Sequence, residues 1–458
     1  MDSLESGESD SPHPRMVVIV GFELEDRVAM AHQTEAACLL EAGVAYDRRV
    51  LLTPTTGDPV FAGFKPGAFS LYFGDAPVFH FDREGRWQRA FVDGVHFLKG
   101  LDTTVQAIDR VREGPNMVLK RLTPSFAEAT ELDARIRNVA LDLIESIGAD
   151  RFVKTQPESK VDPLLINSVC DFLERIAGWD AAAWFAQRER YLGTYGPLTF
   201  LPPDCPNPIV LQLTLGHSSG IAFGGAGAAE HYVRTNAEFE EHVRAVAALL
   251  GARVDQCKAV FLAGSDALLR PLDELNACLE VIAGLLPSHT DPETPRPVHS
   301  FLDQFPADLP DRSDLRRLRE LGLTRVTLGV ESGSHAVRRS YGTHWSDDDL
   351  RAVTAKLRGA GVGVGLIVLV GSGGVKHASE HLEATASLVN SLELGPADLV
   401  SLLDANELFE PNQHRGFEPL RGPYWVTQFE ALKSALEPLR RSHRIKVAPF
   451  SLVKQAFL

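Results

Sequence analysis

Residues 209–225 read I-V-L-Q-L-T-L-G-H-S-S-G-I-A-F-G-G. The first seven positions are almost continuously apolar, as expected for a strand of a parallel sheet that is covered on both faces. The glycines and serines that follow favour a loop over a continued strand. The stretch therefore predicts a buried strand that delivers a loop of small residues to one edge of a sheet.

After this strand, apolar segments alternate with helical ones, as in barrels of parallel strands. The predicted strands are 209–215, 258–263, 297–302, 325–330, 362–370 and 397–403, and the predicted helices lie near 236–250, 271–286, 312–321, 347–359 and 377–391. Capping boxes at Thr235–Glu238 and Ser346–Asp349 mark two of the helix starts. Because a closed barrel has eight such units, the sequence predicts an open (β/α)6 partial barrel over residues 209–404.

Three later strand ends resemble motifs of the radical S-adenosylmethionine (radical SAM) superfamily. Ala259–Leu268 is similar to the segment that contacts the methionine end of S-adenosylmethionine, Thr327–Ser334 to the G-x-E-S-G turn, and Gly361–Gly371 to the fifth strand and its glycine loop. With the opening strand and the run His231–Arg234, the resemblance extends over residues 206–404. The cofactor contacts that it implies are Gly264, Ser265, Asp266, Glu331, Ser332, Gly333 and Gly371.

The opening loop departs from the family at the residues that carry its chemistry. Where the resemblance expects the three cysteines of C-x-x-x-C-x-x-C, this chain has His217, Ile221 and Gly224, although Phe223 is kept. Thiolates are the usual ligands of iron–sulfur clusters, whereas isoleucine and glycine side chains offer no ligand. We therefore expect no canonical [4Fe–4S] cluster, no metal at these degenerate positions and no 5′-deoxyadenosyl radical.

The five cysteines of the chain do not replace the missing ligands. Cys257 precedes the second predicted strand and is expected at the amino end of the barrel, whereas active sites of parallel barrels lie at the carboxyl end. Cys170 and Cys278 lie on apolar helix stripes and are expected to be small buried residues. Cys38 belongs to the N-terminal region. Cys205, in a proline-rich segment, can approach the barrel mouth, but one thiolate cannot hold the cluster.

Several polar residues in the barrel have both a functional and a structural interpretation. Glu331 and Asp266, at strand ends, are candidate hydrogen-bonding or catalytic carboxylates for an amine or a ribose, although Asp266 is also suited to cap the next helix. His217 is either a residual ligand or a residue without a role, and we favour the latter. Gly371–Gly374 is either an anion-binding turn or, as we favour, a flexible one. No catalytic residue is firmly expected.

The N-terminal half is predicted to be a smaller α+β domain over residues 16–150. Its predicted elements are a first strand at 16–24, a helix at Thr34–Gly43, antiparallel hairpins over 69–98, and helices near 102–113 and 124–147. A further helix is predicted at 163–177, after this domain. The aromatic residues between Phe69 and Phe97 are either the core of the small sheet, which we favour, or a ligand platform.

The remaining segments are assigned by composition. Residues 1–15 are expected to form a disordered acidic tail, and residues 151–208 a helical and then proline-rich linker. Residues 405–458 are expected to form a C-terminal extension with one helix over residues 425–440.

The net charge of -15 argues against a broad nucleic-acid surface. No stretch approaches the roughly 20 apolar residues of a membrane helix, and the N-terminal residues lack the pattern of a secretory signal. We therefore expect a cytoplasmic protein that binds neither nucleic acid nor membrane.

The resemblance and its missing cysteines together favour a protein that keeps the fold without radical chemistry. Such a protein is expected to act as a binding or regulatory subunit, with S-adenosylmethionine or a related small molecule as its ligand and an intact radical SAM homologue as a candidate partner. One alternative is a non-radical enzyme that uses Glu331, Asp266 and His217 at the barrel mouth. A further alternative is an active radical SAM enzyme with an atypical cluster site.

Overall fold

A computed structural model of the chain describes residues 15–18, 49–54, 59–65, 67–113, 116–149, 152–154, 163–198, 201–205, 207–216, 231–264, 266–288, 291, 294–307, 309–408 and 420–452. No helix within these ranges is long and apolar enough to cross a membrane. Several predicted features lie outside the described residues: His217, Ile221, Gly224, Ser265, Cys38 and the helix at Thr34–Gly43. The chain divides into two units, Met1–Arg188 and Glu189–Leu458.

The first unit is built on a ten-stranded sheet whose neighbouring strands are antiparallel. The strands are β1 Arg15–Val18, β2 Arg49–Pro54, β3 Val60–Lys65, β4 Ala68–Phe73, β5 Val78–Asp82, β6 Trp87–Val92, β7 Val95–Lys99, β8 Val105–Glu113, β9 Asn116–Leu122 and β10 Phe152–Lys154. Strands β2 to β9 form an uninterrupted meander, with β10 beside β2 and β1 beside β9. The hairpins predicted over residues 69–98 are confirmed as β4 to β7.

Three helices follow in the sequence: α1 Phe126–Gly148, α2 Pro163–Ala177 and α3 Ala181–Thr194. The predicted helices at 124–147 and 163–177 are thereby confirmed. Ile136 of α1 and Leu173 of α2 pack with Phe69 and Phe79 of the sheet in one apolar core. Alternate residues of strands β3 to β6 point into this core, because successive side chains of a strand lie on opposite faces.

The helix predicted near residues 102–113 is wrong, because this segment forms β8. Val105 and Ala107 are buried on the core face, and the strand pairs with β9 up to Glu113 and Asn116. The alternation V-Q-A-I is the pattern of a half-buried strand, and the Gly-Pro pair after Glu113 suits a hairpin turn. Of the first predicted strand, residues 15–18 are confirmed as β1, and residues 19–24 lie outside the described ranges.

The second unit is built on a seven-stranded parallel sheet in the order β11-β14-β15-β16-β17-β18-β19. Its strands are β11 Ile209–Gln212, β14 Val260–Ala263, β15 Val298–Leu302, β16 Leu323–Glu331, β17 Gly363–Val370, β18 Leu399–Asp404 and β19 Lys446–Phe450, and a small ladder pairs β12 Thr214–Leu215 with β13 Tyr232–Val233. The helices are α4 Asn236–Leu250, α5 Leu272–Leu285, α6 Arg312–Glu320, α7 His335–Ser340, α8 Asp347–Gly359, α9 Gly374–Asn390, α10 Ala405–Leu408, α11 Pro423–Ala435 and α12 Glu437–His443. The predicted fold class, an open α/β partial barrel that follows a sheet domain, is confirmed.

The structure also refines the barrel at several points. Both predicted capping boxes are present, with Thr235 and Ser346 each accepting a hydrogen bond from the backbone three residues on. The sheet has a seventh strand, β19, which pairs with β18 and lies in the segment that the sequence assigned to an extension. The single helix expected over residues 425–440 is two helices, because Pro438 at the start of α12 favours a new helix over a continued one.

Candidate functional site

The carboxyl edge of the parallel sheet collects acidic side chains from several strands. Asp266 and Asp303 follow β14 and β15, Glu331 ends β16, and Asp404 ends β18. Because parallel strands end at a common edge, these carboxyl groups belong to one side of the sheet, where barrels of this class build their sites. All four are buried or nearly so.

Asp266 is held by two neighbours from the opening strand region. The Thr214 hydroxyl donates to Asp266 Oδ1 at 2.6 Å, and His231 Nε2 lies 2.6 Å from Asp266 Oδ2. Gly264, two residues earlier, has φ of 106°, and a Cβ there would lie 2.3 Å from Thr214 Oγ1. A glycine at this position therefore lets the end of β14 approach Thr214 closely enough for the Thr214–Asp266 hydrogen bond.

Glu331 has both an unusual backbone and an unusual acidity. Its φ is 61°, a left-handed conformation that is uncommon for residues other than glycine and is concentrated at functional turns. Burial raises the pKa of Glu331 to about 8, against the lowering effect of the Thr343 hydroxyl, while the nearby Asp303 carboxylate raises the pKa further. The Thr343 hydroxyl donates to Glu331 Oε2 at 2.8 Å. Glu331 is therefore predominantly a neutral carboxylic acid at pH 7.

Arg338 fixes the turn that carries Glu331. Its guanidinium donates to the carbonyl oxygens of Ser332 and Gly333 at 3.0 and 3.1 Å and pairs with Asp347 at 2.8 Å. It also lies over the Trp345 ring, 4.1 Å from the centroid. The buried guanidinium thus binds backbone, carboxylate and aromatic ring together, which orients the strand end.

Ser332 and Gly333, two of the cofactor contacts implied by the sequence, lie against helix α9. Ser332 Oγ is 2.8 Å from His381 Nδ1, and the Gly333 N–H donates to Thr385 Oγ1 at 2.8 Å. A Cβ on Gly333 would lie 2.3 Å from the backbone of Ala384. These contacts attach the turn after β16 to the helix.

Gly371 lies at the end of β17, as the resemblance implied, and its backbone N–H is already engaged. It donates to Gln428 Oε1 at 2.5 Å, and the next residue, Ser372, has its hydroxyl 3.0 Å from that of Tyr341. The flexible-turn interpretation of Gly371–Gly374 needs refining, because Gly373 has the left-handed conformation immediately before α9 and the turn is tied to α11 through Gln428.

The described cysteines of the second unit lie away from the carboxyl edge. Cys205 and Cys257 are buried before β11 and β14, and Cys278 is buried on α5. Burial raises the pKa of Cys205 to about 12, and the neighbouring Asp204 and Cys257 add to the rise. Burial likewise raises the pKa of Cys257 and of Cys278. The expectation that Cys205 can approach the barrel mouth is therefore wrong, whereas Cys257 lies at the amino end as predicted.

The sequence interpretation missed partners that only the fold brings together. His231 reaches Asp266 from 35 positions away, and Thr343 and Asp303 surround Glu331 from two other segments. Asp404 was also missed, and burial raises its pKa, against the lowering effect of its hydrogen bonds from Asn406. An acidic residue soon after four of the six predicted strands was the available signal. Among the described residues, no group of three or more His, Cys, Asp and Glu side chains is arranged to hold a metal ion.

Residues 226–389 match the sequence profile of the Radical SAM superfamily. No curated protein matches the chain. Similar solved structures include the radical S-adenosylmethionine methyltransferase TsrM from Kitasatospora setae (15% identity, 46% of this chain and 39% of that chain, TM-score 0.33). Others are the coproporphyrinogen III oxidase HemN from Escherichia coli (16%, 44% and 44%, 0.34) and Elp3 from Methanocaldococcus infernus (17%, 52% and 56%, 0.33).

This chain spans between 39% and 56% of the length of those structures. The profile match runs from the segment before β13 to α9 and includes Asp266, Asp303 and Glu331 but not Asp404. The chain is thus similar to the Radical SAM superfamily over residues 226–389, which lie in its second unit.

Proposed function

We propose that this protein keeps the radical SAM fold without the [4Fe–4S] cluster and acts as a non-radical binding or regulatory subunit. Its ligand is a small molecule with a cationic group, for which S-adenosylmethionine or a related compound is the candidate, and an intact radical SAM homologue is the candidate protein partner. The observation that carries the proposal is the location of the thiols. The opening loop has none, and those described in the second unit are buried away from the carboxyl edge.

The residues present do not fit a canonical cluster. Such a cluster needs three thiolates around one site, and the family positions hold His217, Ile221 and Gly224. Cys205 and Cys257 are buried thiols with raised pKa values, and protonated thiols are poor metal ligands. No radical step is therefore derived for this chain.

The carboxylates at the same edge do fit a cationic ligand. An ionised carboxylate offers about four acceptor positions, so Asp266 can accept from an ammonium group in addition to Thr214 and His231. Glu331, neutral at pH 7, can both donate to and accept from a hydroxyl or amine. An acceptor at Asp266 and a carboxylic acid that can also donate at Glu331 support recognition of a ligand with an ammonium at one end and hydroxyl groups at the other.

Iron and sulfide analysis of protein produced without oxygen tests the loss of the cluster. The wild-type protein is expected to be colourless and to contain almost no iron. The triple variant His217→Cys, Ile221→Cys, Gly224→Cys restores the family spacing and serves as the positive control. Brown wild-type protein with about four irons per chain and reductive cleavage of S-adenosylmethionine would overturn the proposal and favour the active enzyme with an atypical cluster site.

Isothermal titration with S-adenosylmethionine tests the ligand. Asp266→Asn is expected to weaken binding about tenfold or more, because it removes the charge that pairs with the ammonium. Asp273→Asn, at an exposed position of the first turn of α5, is the matched control and is expected to leave the affinity unchanged. If the two variants bind S-adenosylmethionine with equal affinity, Asp266 is not part of the binding site.

A second candidate is a non-radical enzyme, and the acidity of Glu331 favours it. A carboxylic acid with a pKa near 8 can give up and regain a proton at neutral pH, as general acid–base catalysis requires. In this case wild-type protein would convert the bound ligand over hours, and Glu331→Gln would not. Mass spectrometry of the recovered ligand separates this outcome from simple binding, in which both proteins return it unchanged.

A further inference from the structure

The sheet of the first unit has a second face that the apolar core does not use. On β3 to β7, side chains such as Phe69, Phe79 and Phe81 belong to the core, and the alternate positions point the other way. We call this side the outer face and define it by Phe61, Tyr72, His80, Arg89, Phe91 and His96. Four of these side chains are half-buried, and Arg89 and His96 are exposed.

Two pairs of flat side chains, separated by Val78, form a row across the outer face. The strand register places Phe61 opposite Tyr72, then Tyr72 opposite Val78, and then Phe91 and His96 in line. The ring centroids of Phe61 and Tyr72 are 5.8 Å apart, and those of Phe91 and His96 are 4.5 Å apart. Because adjacent strands lie about 4.8 Å apart, the row extends for roughly 19 Å.

The neighbouring row carries positive charge. Arg89 lies opposite His80, and His80 opposite Ser70. Burial and then the charges of Lys65 and Arg89 lower the pKa of His80 to about 4. The alternation along β3 and the pairing of Arg89 with His80 put both cations on the outer face. His80 is therefore neutral at pH 7, and its ring Nδ1 lies 2.8 Å from Ser70 Oγ.

Acidic side chains are scarce on these strands. Within the described strands β3 to β7, the acidic residue is Asp82, and its carboxylate accepts from Arg86 Nε at 2.7 Å and from the Arg86 backbone at 3.0 Å. The charged side chains named on the outer face, Lys65 and Arg89, are thus cationic in a chain whose net charge is -15. The expectation that the chain binds no nucleic acid rests on its net charge and does not describe the charges of this face.

We propose that the outer face binds single-stranded nucleic acid. The two ring pairs offer stacking positions for unpaired bases. Arg89 in the neighbouring row, and Lys65 one row further along the same face, match the phosphate backbone. A duplex keeps its base faces stacked inside the helix and cannot use the rings. An acidic peptide would use the cations and leave the aromatic row without a role. This activity is independent of the ligand proposed for the barrel of the second unit.

Fluorescence anisotropy with the full-length chain tests the proposal. The probes are a labelled single strand of about 12 nucleotides, as RNA and as DNA, the corresponding duplex, and polyglutamate. We expect binding of the single strand at low salt, weaker binding of the duplex, and an affinity that falls as salt rises. No binding of either single strand at low salt, or equal binding of the duplex or of polyglutamate, would overturn the proposal.

Two variants separate stacking from charge. Tyr72→Ala is expected to weaken single-strand binding about tenfold, whereas Tyr72→Phe keeps the ring and the affinity. Arg89→Glu is expected to weaken binding and to reduce the salt dependence, with a log–log slope smaller by about 0.7 or more. The matched controls are Tyr424→Ala and Arg441→Glu, both exposed residues of the second unit.

The test also remains informative if one of these variants fails to fold. Arg89 is exposed, so Arg89→Glu stays informative if Tyr72→Ala proves unstable, and a thermal unfolding curve identifies such a case. If both outer-face variants bind the single strand as tightly as the two controls do, any nucleic acid binds elsewhere on the protein.

Discussion

The two edges of the parallel sheet use carboxylates in opposite ways. At the amino edge, Asp204 pairs with Arg325, with Oδ2 2.5 Å from Nε, and Asp398 pairs with Arg358 at 2.9 Å. At the carboxyl edge, Asp266 is held by a hydroxyl and an imidazole, and Glu331 by a hydroxyl. One edge is neutralised by its own guanidinium groups, whereas the other relies on weaker, largely uncharged partners.

The pKa values of the carboxyl groups at the two edges follow from this difference in partners. Burial alone would raise the pKa of Asp204, but His299 and Arg325 lower it below its ordinary value. At the carboxyl edge, burial dominates and raises the pKa of Glu331 and of Asp404. Groups with perturbed acidity concentrate at functional sites. The carboxylates described at the amino edge are satisfied by the protein's own cations, whereas the raised pKa values at the carboxyl edge agree with the ligand site proposed there.

The largest expected effect concerns the turn that presents Glu331 at the carboxyl edge. Gly333→Ala would place a Cβ 2.3 Å from the Ala384 backbone, which cannot move aside as a flexible side chain can. We expect a loss of about 3 kcal/mol or more in the free energy of unfolding, measured by chemical denaturation of the full chain.

Gly284→Ala on α5 is the control for this substitution. A Cβ at Gly284 meets nothing within 4 Å, and alanine is the better helix former by up to about 1 kcal/mol. We therefore expect unchanged or slightly higher stability. A Gly333→Ala protein as stable as this control would mean that the turn is not held against α9.

The next effect is a pH dependence caused by Glu331. Its pKa of about 8 in the folded protein lies above its ordinary value of 4.5, so the folded state holds the proton more tightly than the unfolded state does. The stability from this group is complete below pH 4.5 and is lost as the pH rises toward 8, with a slope of at most about 1.4 kcal/mol per pH unit.

Glu331→Gln removes this titration. Between pH 5.5 and 7.5 the stability of the wild-type protein is expected to fall by about 2 kcal/mol relative to that of the variant. Unfolding curves across this range measure the difference, and Glu383→Gln, an exposed position on α9, is expected to behave like the wild-type protein. Parallel pH profiles of the wild-type protein and Glu331→Gln would show that Glu331 is already ionised when folded.

Asp204 at the amino edge is expected to have the opposite pH dependence. Because its pKa is below the ordinary value of 3.8, its stabilising effect is present above that pH and is lost as the pH falls through the folded pKa. Asp204→Asn is expected to lose about 1 to 2 kcal/mol at pH 7, since it leaves Arg325 without its half-buried partner. The difference from the wild-type protein should shrink below pH 4, which acid unfolding measures; a constant difference would contradict an ionic origin.

The contrast between the edges was only partly accessible from the sequence. The barrel was predictable because strong apolar runs and two capping boxes mark its elements, and Asp266 and Glu331 were found because each follows such a run. β8 was misassigned because Val105, Ile108 and Val111 fit a helical spacing as well as the alternation of a strand. β19 was missed because it is short, half-exposed and interrupted by Pro449.

The partners of the site residues were not predictable for a different reason. His231 and Asp266, or Thr343 and Glu331, are distant in the sequence, and only the folded backbone brings them together. The raised pKa of Glu331 depends on burial from all sides, which no local pattern records. Residue types at strand ends therefore identify the edge that carries a site, whereas the acidity of the groups there requires the tertiary structure.

The smallest expected effect tests the contact that shapes the Asp266 side of the carboxyl edge. A Cβ at Gly264 would lie 2.3 Å from Thr214 Oγ1, so Gly264→Ala is expected to displace that hydroxyl from Asp266. Thr214→Ala removes the hydroxyl and about 1 kcal/mol of hydrogen-bond stability. In the double variant the clash is relieved. The double variant should therefore lose about 1 kcal/mol less free energy of unfolding than the sum of the losses in the two single variants. Strictly additive losses in denaturation would mean that backbone strain at φ of 106°, rather than contact with Thr214, requires glycine here.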